Sequence, residues 1–212
     1  INIKCQLATI NFDVSFKELS SAMDSTICYN TPKYIYLKTN QYAANIGAYI
    51  SQKNKDPIIK RLAQFLTKGL STNEEKAQHL LHFVSTEITY SYEDYWFQSE
   101  ITKRAHEVLL SGDGDCSSKT IFYASLLEQC DIPYCLLYFN KHINVGVKGN
   151  FPNKNKYIFT KENNTYYMAE TTTPNYIIGE SLLGNPEILS TVLMYQNPRE
   201  SEKVYNAKTN NE

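Results

Sequence analysis

Ser111-Gly112-Asp113-Gly114-Asp115-Cys116-Ser117-Ser118-Lys119 hands a glycine-rich stretch over to a helix. The glycines permit a tight turn. The segment from Ser117 to Gln129 has helical character, with Ile121, Phe122, Leu126 and Leu127 apolar, and Asp131-Ile132-Pro133 breaks it. A cysteine at such a handover sits at the positive end of the helix dipole, which favours a thiolate and lowers its pKa. Backbone N–H groups at the same helix end are placed to hold an oxyanion. Position alone leaves Cys116 open to two readings, an activated nucleophile or a buried structural cysteine.

Downstream of the helix the period changes. Residues 134–139, 142–147, 156–160 and 165–169 read as strands. In His142-Ile143-Asn144-Val145-Gly146-Val147 the period of two puts Ile143, Val145 and Val147 on the core face. His142, Asn144 and Gly146 then face the other way, with open space expected beside the glycine. Glu170 ends the strand Tyr166-Tyr167-Met168-Ala169. If that strand pairs with the His142 strand, Glu170 reaches the far imidazole nitrogen, fixes the tautomer and stabilises the imidazolium. A lone strand histidine is more often a surface residue, and a lone glutamate a rim carboxylate.

Upstream, Asp56-Pro57 is a helix start, an N-cap Asp followed by Pro at the first helical position. Ile58, Ile59, Leu62, Phe65 and Leu66 trace its apolar face, and Gly69 is placed to close it. Thr72-Asn73-Glu74-Glu75 is a capping box for a second helix whose buried face is Ala77, Leu80, Leu81 and Val84. Ile88-Thr89-Tyr90 ends that unit, and a short helix is expected over 103–110. Helices followed by a meander of strands is the α+β pattern. Residues 1–55 read as an N-terminal extension packed on the core, with a helical spacing at Phe16, Leu19, Met23 and Ile27 and a short strand at 34–37. The main domain spans 56–200, and 201–212 read as a loose polar tail.

Taken together, the motifs resemble the transglutaminase-like superfamily, in a prokaryotic branch. Gly114-Asp115-Cys116-Ser117-Ser118-Lys119 resembles its Gly-Asp-Cys-x-x-Lys block, His142 to Val147 its histidine strand, and Tyr167 to Thr172 its acid strand, with Ile178-Gly179-Glu180 behind. The likeness runs from about residue 56 to 180. Two positions depart from the family pattern: Ser117 and Ser118 stand where many relatives have acids, and Glu170 where Asp is commoner. The resemblance implies a papain-like α+β core and a catalytic triad of Cys116, His142 and Glu170. It also implies acyl transfer through a thioester on peptide or glutamine amide bonds. Hydrolysis, as in a cysteine protease or amidase, is the expected outcome because water needs no additional binding site. Transglutaminase crosslinking and an inactive protein-binding module on the same fold are the alternatives.

Composition narrows the partners. A net charge of -1 argues against a nucleic-acid binder, so the expected partner is a protein or peptide substrate. No apolar run is long enough to cross a bilayer. The first residue is Ile1, so the location is expected to be either cytoplasmic or exported with a leader outside this chain. Cys5, Cys28, Cys116, Cys130 and Cys135 are odd in number and irregular in spacing, which reads as thiols without a disulfide framework. His79 and His82 lie three apart on a helix but lack further ligands, so they and His106 are expected to be solvated helix residues, and no metal or cofactor is expected. Gly112-Asp113-Gly114-Asp115 lacks the spaced ligands of a calcium loop. Trp96 and Gln98 are candidates for a second oxyanion donor.

Overall fold

The protein is described from a computed structural model, which covers residues 2–5, 8–11, 46–53, 55–92, 102–139, 141–151, 158–161, 164–182, 190–193 and 203–206. The readings at 16–27, at 34–37, and at Trp96 and Gln98 lie outside the described residues.

Helix α1 is Pro57–Leu66. Its N-cap Asp56 accepts from the Ile59 N–H at 3.1 Å, as the sequence predicts. It ends at Thr67, where the next N–H, of Lys68, turns to the Phe65 carbonyl, and Gly69 follows in a left-handed conformation at φ 84° that closes the turn as the sequence predicts. Helix α2, Asn73–Glu87, carries the predicted capping box between Thr72 and Glu75. Helix α3 is Ala105–Ser111, and helix α4 is Cys116–Gln129. Between the last two, strand β4 (Asp113–Gly114) pairs in parallel with β3 (Thr89–Tyr90). The expected plain turn is thus a short ladder, in which Ser91 N–H donates to the Gly114 carbonyl and Thr89 N–H to that of Gly112.

Among the described residues the main sheet has six strands, in the spatial order Lys203–Asn206, Ser190–Leu193, Tyr134–Phe139, His142–Lys148, Asn164–Ala169 and Ile158–Lys161. Its centre is β5 (Tyr134–Phe139), β6 (His142–Lys148) and β8 (Asn164–Ala169), with β7 at Ile158–Lys161 and β9 at Ser190–Leu193. Strand β10, Lys203–Asn206, lies in the stretch expected to be a loose tail, yet it pairs antiparallel with β9. A separate hairpin joins β1 (Asn2–Cys5) to β2 (Ala8–Asn11). The mixed helices and antiparallel sheet make the fold α+β.

One hydrophobic core fills the space between helices and sheet. Leu62, Leu80, Phe122 and Leu126 meet Ile143, Val145 and Val147 there. Ile46, Tyr49 and Ile50 belong to the same core, which therefore extends upstream of Asp56. The opposite sheet face is also buried, with Cys135, Leu137, Phe139, Tyr166 and Met168 forming a second cluster. This overturns the expectation of open space beside Gly146. A Cβ there would lie 2.6 Å from the Cys135 sulfur, 3.2 Å from the Tyr166 Cβ and 3.3 Å from Leu137 Cδ1. Gly146 lets β5 and β8 side chains close over β6.

His106 also departs from expectation. It is buried, and its Nε2 lies 2.8 Å from Asp56 Oδ1, so the α1 cap is latched to α3. His79 and His82 are half-buried rather than solvated, and burial first, then His82, lowers the His79 pKa. Among the described residues no group of His, Cys, Asp and Glu has a metal-binding arrangement, and no helix is long and apolar enough to cross a membrane.

The crowding at Gly146 sets a stability test. Gly146→Ala is expected to cost about 1–3 kcal/mol by overpacking, read from urea unfolding. In a Cys135→Ala background, where the nearest atom is gone, most of that cost should vanish. An equal cost in both backgrounds would place the strain elsewhere.

Candidate active site

Helix α4 starts where the sequence places it because three constraints meet. Gly112 holds a left-handed conformation at φ 74° and closes α3 through its N–H to the Val108 carbonyl. Gly114 has ordinary φ, but a Cβ on it would sit 2.9 Å from the Ser118 Cβ. It is needed for close approach, not for the turn. Asp115 is the N-cap, accepting from Ser118 N–H at 2.8 Å and from the Ser117 hydroxyl at 2.8 Å. Cys116 is therefore the first helical residue, partly exposed and packed against the main core. The two serines that depart from the family pattern are both fully buried. Ser117 buttresses the cap, and Ser118 Oγ accepts from the Lys103 N–H at 2.9 Å, tying the α3 approach to the α4 start.

The next residues dock this helix end on the sheet. Thr120 Oγ1 donates to the Ile143 carbonyl at 3.3 Å, beside His142. Cys116 lies one turn before Thr120 on the same helix face. Lys119 is fully buried, and its ammonium donates to the Ile88 carbonyl at 2.7 Å, with the Ser85 carbonyl at 3.5 Å. It thereby caps the negative end of α2. Burial lowers its pKa to about 8, and the Glu170 charge opposes that fall.

His142 opens β6, stacked on Phe139 at a ring-centroid distance of 6.4 Å. Lys141, at φ 60°, turns the chain into it. Strand β6 pairs antiparallel with β8, with Val145 opposite Ala169. Continuing that register by one residue sets Asn144 opposite Glu170. The Glu170 side chain is fully buried, and its Oε2 lies 3.5 Å from His142 Nε2. At that separation the contact is longer than a good hydrogen bond. Asn144 Nδ2 donates to the same oxygen at 3.1 Å. Oε1 accepts from the Thr172 N–H at 3.1 Å and from its hydroxyl at 2.5 Å. Burial alone would raise the Glu170 pKa, but His142, Thr172 and Asn144 outweigh it and hold the carboxyl down at about 2.

The three residues singled out from sequence thus lie as follows. His142 and Glu170 approach to 3.5 Å, Cys116 begins the helix that Thr120 docks on the His142 strand, and Lys119 in that helix feels the Glu170 charge. Sequence reading missed Asn144 and Thr172 as partners of Glu170. The available signal was a polar residue at a position with buried neighbours on both sides. The remaining described thiols are of another kind: burial pushes Cys130 up and Cys135 well up. Cys116, Cys130 and Cys135 are free thiols.

Fold and sequence together are those of a cysteine-enzyme superfamily. The sequence signature of the transglutaminase-like superfamily matches residues 60–172, more than half of the chain, and the protein belongs to that superfamily. A solved structure similar to this chain is that of a "Putative Cysteine Protease" from Cytophaga hutchinsonii, at 9% sequence identity and a TM-score of 0.45. The match covers 76% of this chain and 51% of that one, so this chain spans about half its length. No curated protein matches the chain.

Two outcomes follow from the site's electrostatics. Under native conditions Cys116 should alkylate with iodoacetamide before Cys130 and Cys135, and well below an unperturbed thiol pKa of about 8.5. Peptide mapping reads the order, and an earlier reaction at Cys130 or Cys135 would remove Cys116 from its role. Glu170 has a folded pKa lowered from 4.5 to about 2, so its stabilisation is present above the unfolded value and is lost as pH falls through the folded one. Its ionisation should contribute about 3 kcal/mol above pH 5. The stability gap between the wild type and Glu170→Gln, from urea unfolding, should therefore narrow between about pH 5 and 2. A gap independent of pH would contradict a depressed carboxyl.

Proposed function

We propose that the protein is a cysteine-dependent acyl-transfer enzyme, acting as a hydrolase on peptide or glutamine amide bonds. The observation that carries this reading is the 3.5 Å approach of His142 Nε2 to the buried Glu170 carboxylate, at the sheet position where the Cys116 helix docks through Thr120. Cys116 has the dipole-favoured place for a thiolate, and the N–H groups of the α4 start have the place for an oxyanion. Glu170 orients His142 and supports its imidazolium form.

In this mechanism the Cys116 thiolate attacks the carbonyl carbon and the carbonyl electrons move to an oxyanion held by the helix N–H groups. As that intermediate collapses, the C–N bond breaks and His142 gives its proton to the leaving amine, forming a thioester. Water then attacks the thioester while His142 takes a proton from it. The acid leaves and the thiolate–imidazolium pair is restored. An amine in place of water would give a crosslink. Hydrolysis is favoured because water requires no acceptor site.

A panel of fluorogenic peptides and glutamine peptides, with ammonia release and amine incorporation read side by side, tests this. Cys116→Ala and His142→Ala should abolish turnover, and Glu170→Gln should leave residual activity, since an amide still orients the ring. Activity should survive EDTA. Full loss with EDTA and recovery with zinc would overturn the mechanism. Amine incorporation outrunning hydrolysis would move the reading to crosslinking. Substrate binding without turnover would favour a binding module.

A further inference from the structure

We infer that Asn144 and Thr172 are positioning residues that hold the Glu170 carboxylate in one orientation, with a single acceptor direction left for His142. The inference rests on the proposed function and deepens it.

Asn144 is fully buried in the middle of β6, between Ile143 and Val145 and opposite Leu137. Leucine has the same branching and would suit the apolar character of these neighbours. The amide instead makes a 3.1 Å bond from Nδ2 to Glu170 Oε2, and its Oδ1 is buried without a partner. A buried unpaired polar atom is costly, so the residue is poorly explained by packing and well explained by the carboxylate. Thr172 supplies two more donors, N–H and hydroxyl, both to Oε1.

A carboxylate has about four lone-pair directions. Three are occupied by Asn144 and Thr172, and the fourth lies on Oε2, the oxygen that faces His142 Nε2. His142 and Asn144 are two apart in one strand, so both side chains stand on the same sheet face and converge on Oε2. An ionised carboxylate only accepts, so it selects the His142 tautomer with its proton on Nε2. The Nδ1 lone pair is then left for the thiol proton. Without Asn144 or Thr172 the carboxylate could rotate or take up a proton, and that selection would weaken.

The test is the pH profile of Cys116 alkylation by iodoacetamide in the purified chain, read by intact mass and peptide mapping. Asn144→Leu and Thr172→Val should each move the profile to higher pH and slow alkylation at pH 6 about tenfold, the size expected for one hydrogen bond to a charged group. Thr172→Ser, which keeps the hydroxyl, should recover most of the rate. In a Glu170→Gln background Asn144→Leu should add no further loss, because it acts only through the carboxylate. Should Asn144→Leu fail to fold, Asn144→Asp serves instead. A second carboxyl beside Glu170 should share its proton and raise the acid limb. If Cys116 is activated and His142→Ala slows it, but these variants leave the profile unmoved or add fully to Glu170→Gln, the inference fails while the proposed function stands. A wild-type Cys116 with an ordinary thiol profile would overturn both.

Discussion

Two opposite charges, the Lys119 ammonium and the Glu170 carboxylate, are fully buried where helix α4 meets the sheet. Burying a lone charge is prohibitive unless it is paired and hydrogen-bonded. Each ion here has what it needs. Lys119 takes the carbonyl oxygens at the end of α2, and Glu170 takes the donors of Asn144 and Thr172, with His142 beside it. Because each ion draws its partners from a different element, neither can move without exposing unsatisfied groups on another. Lys119 thus holds the start of α4 to the end of α2, Glu170 holds the end of β8 to β6, and the Thr120 bond to the Ile143 carbonyl joins helix to sheet where the candidate triad lies.

The start of α4 is built to the same standard. Asp115 caps the helix, Ser117 supports the cap, and Ser118 accepts from the chain leading into α3. Gly114 is a glycine because the Ser118 Cβ stands where its own Cβ would go. A first-turn residue such as Cys116 keeps a fixed position only if the cap that starts its helix is itself held in place. The serines at 117 and 118 show how this chain does without acids after its cysteine: both hydroxyls are spent on the cap and its neighbour.

Farther from the site, the Asp56–His106 contact ties the α1 cap to α3, and Gly146 lets a second cluster close behind β6. Both serve the same end. The first fixes the element that leads into β4 and Cys116, and the second leaves the His142 strand covered on both faces. Strand β6 thus behaves as a rigid central strand despite the polar side chains at its site end.

Local rules are enough for the helices, for the central strands and for naming Cys116, His142 and Glu170 as candidates. Capping chemistry at Asp56 and Thr72, period-two alternation around His142 and the glycine-to-helix handover at Cys116 are short-range signals, set by backbone geometry within a few residues. They also placed Glu170 at the end of a strand in reach of the histidine. What depended on elements far apart in sequence was not legible. The β3–β4 ladder pairs residues on either side of α3, β10 joins β9 from a stretch that reads as polar tail, and His106 is buried by Asp56 fifty positions away. Asn144 looked like one more outward-facing residue, because period-two reasoning assumes a wet face. Only the tertiary structure, by burying that face as well, turned its amide into a partner of the Glu170 carboxylate, since a polar group denied water must bond to whatever the fold brings beside it.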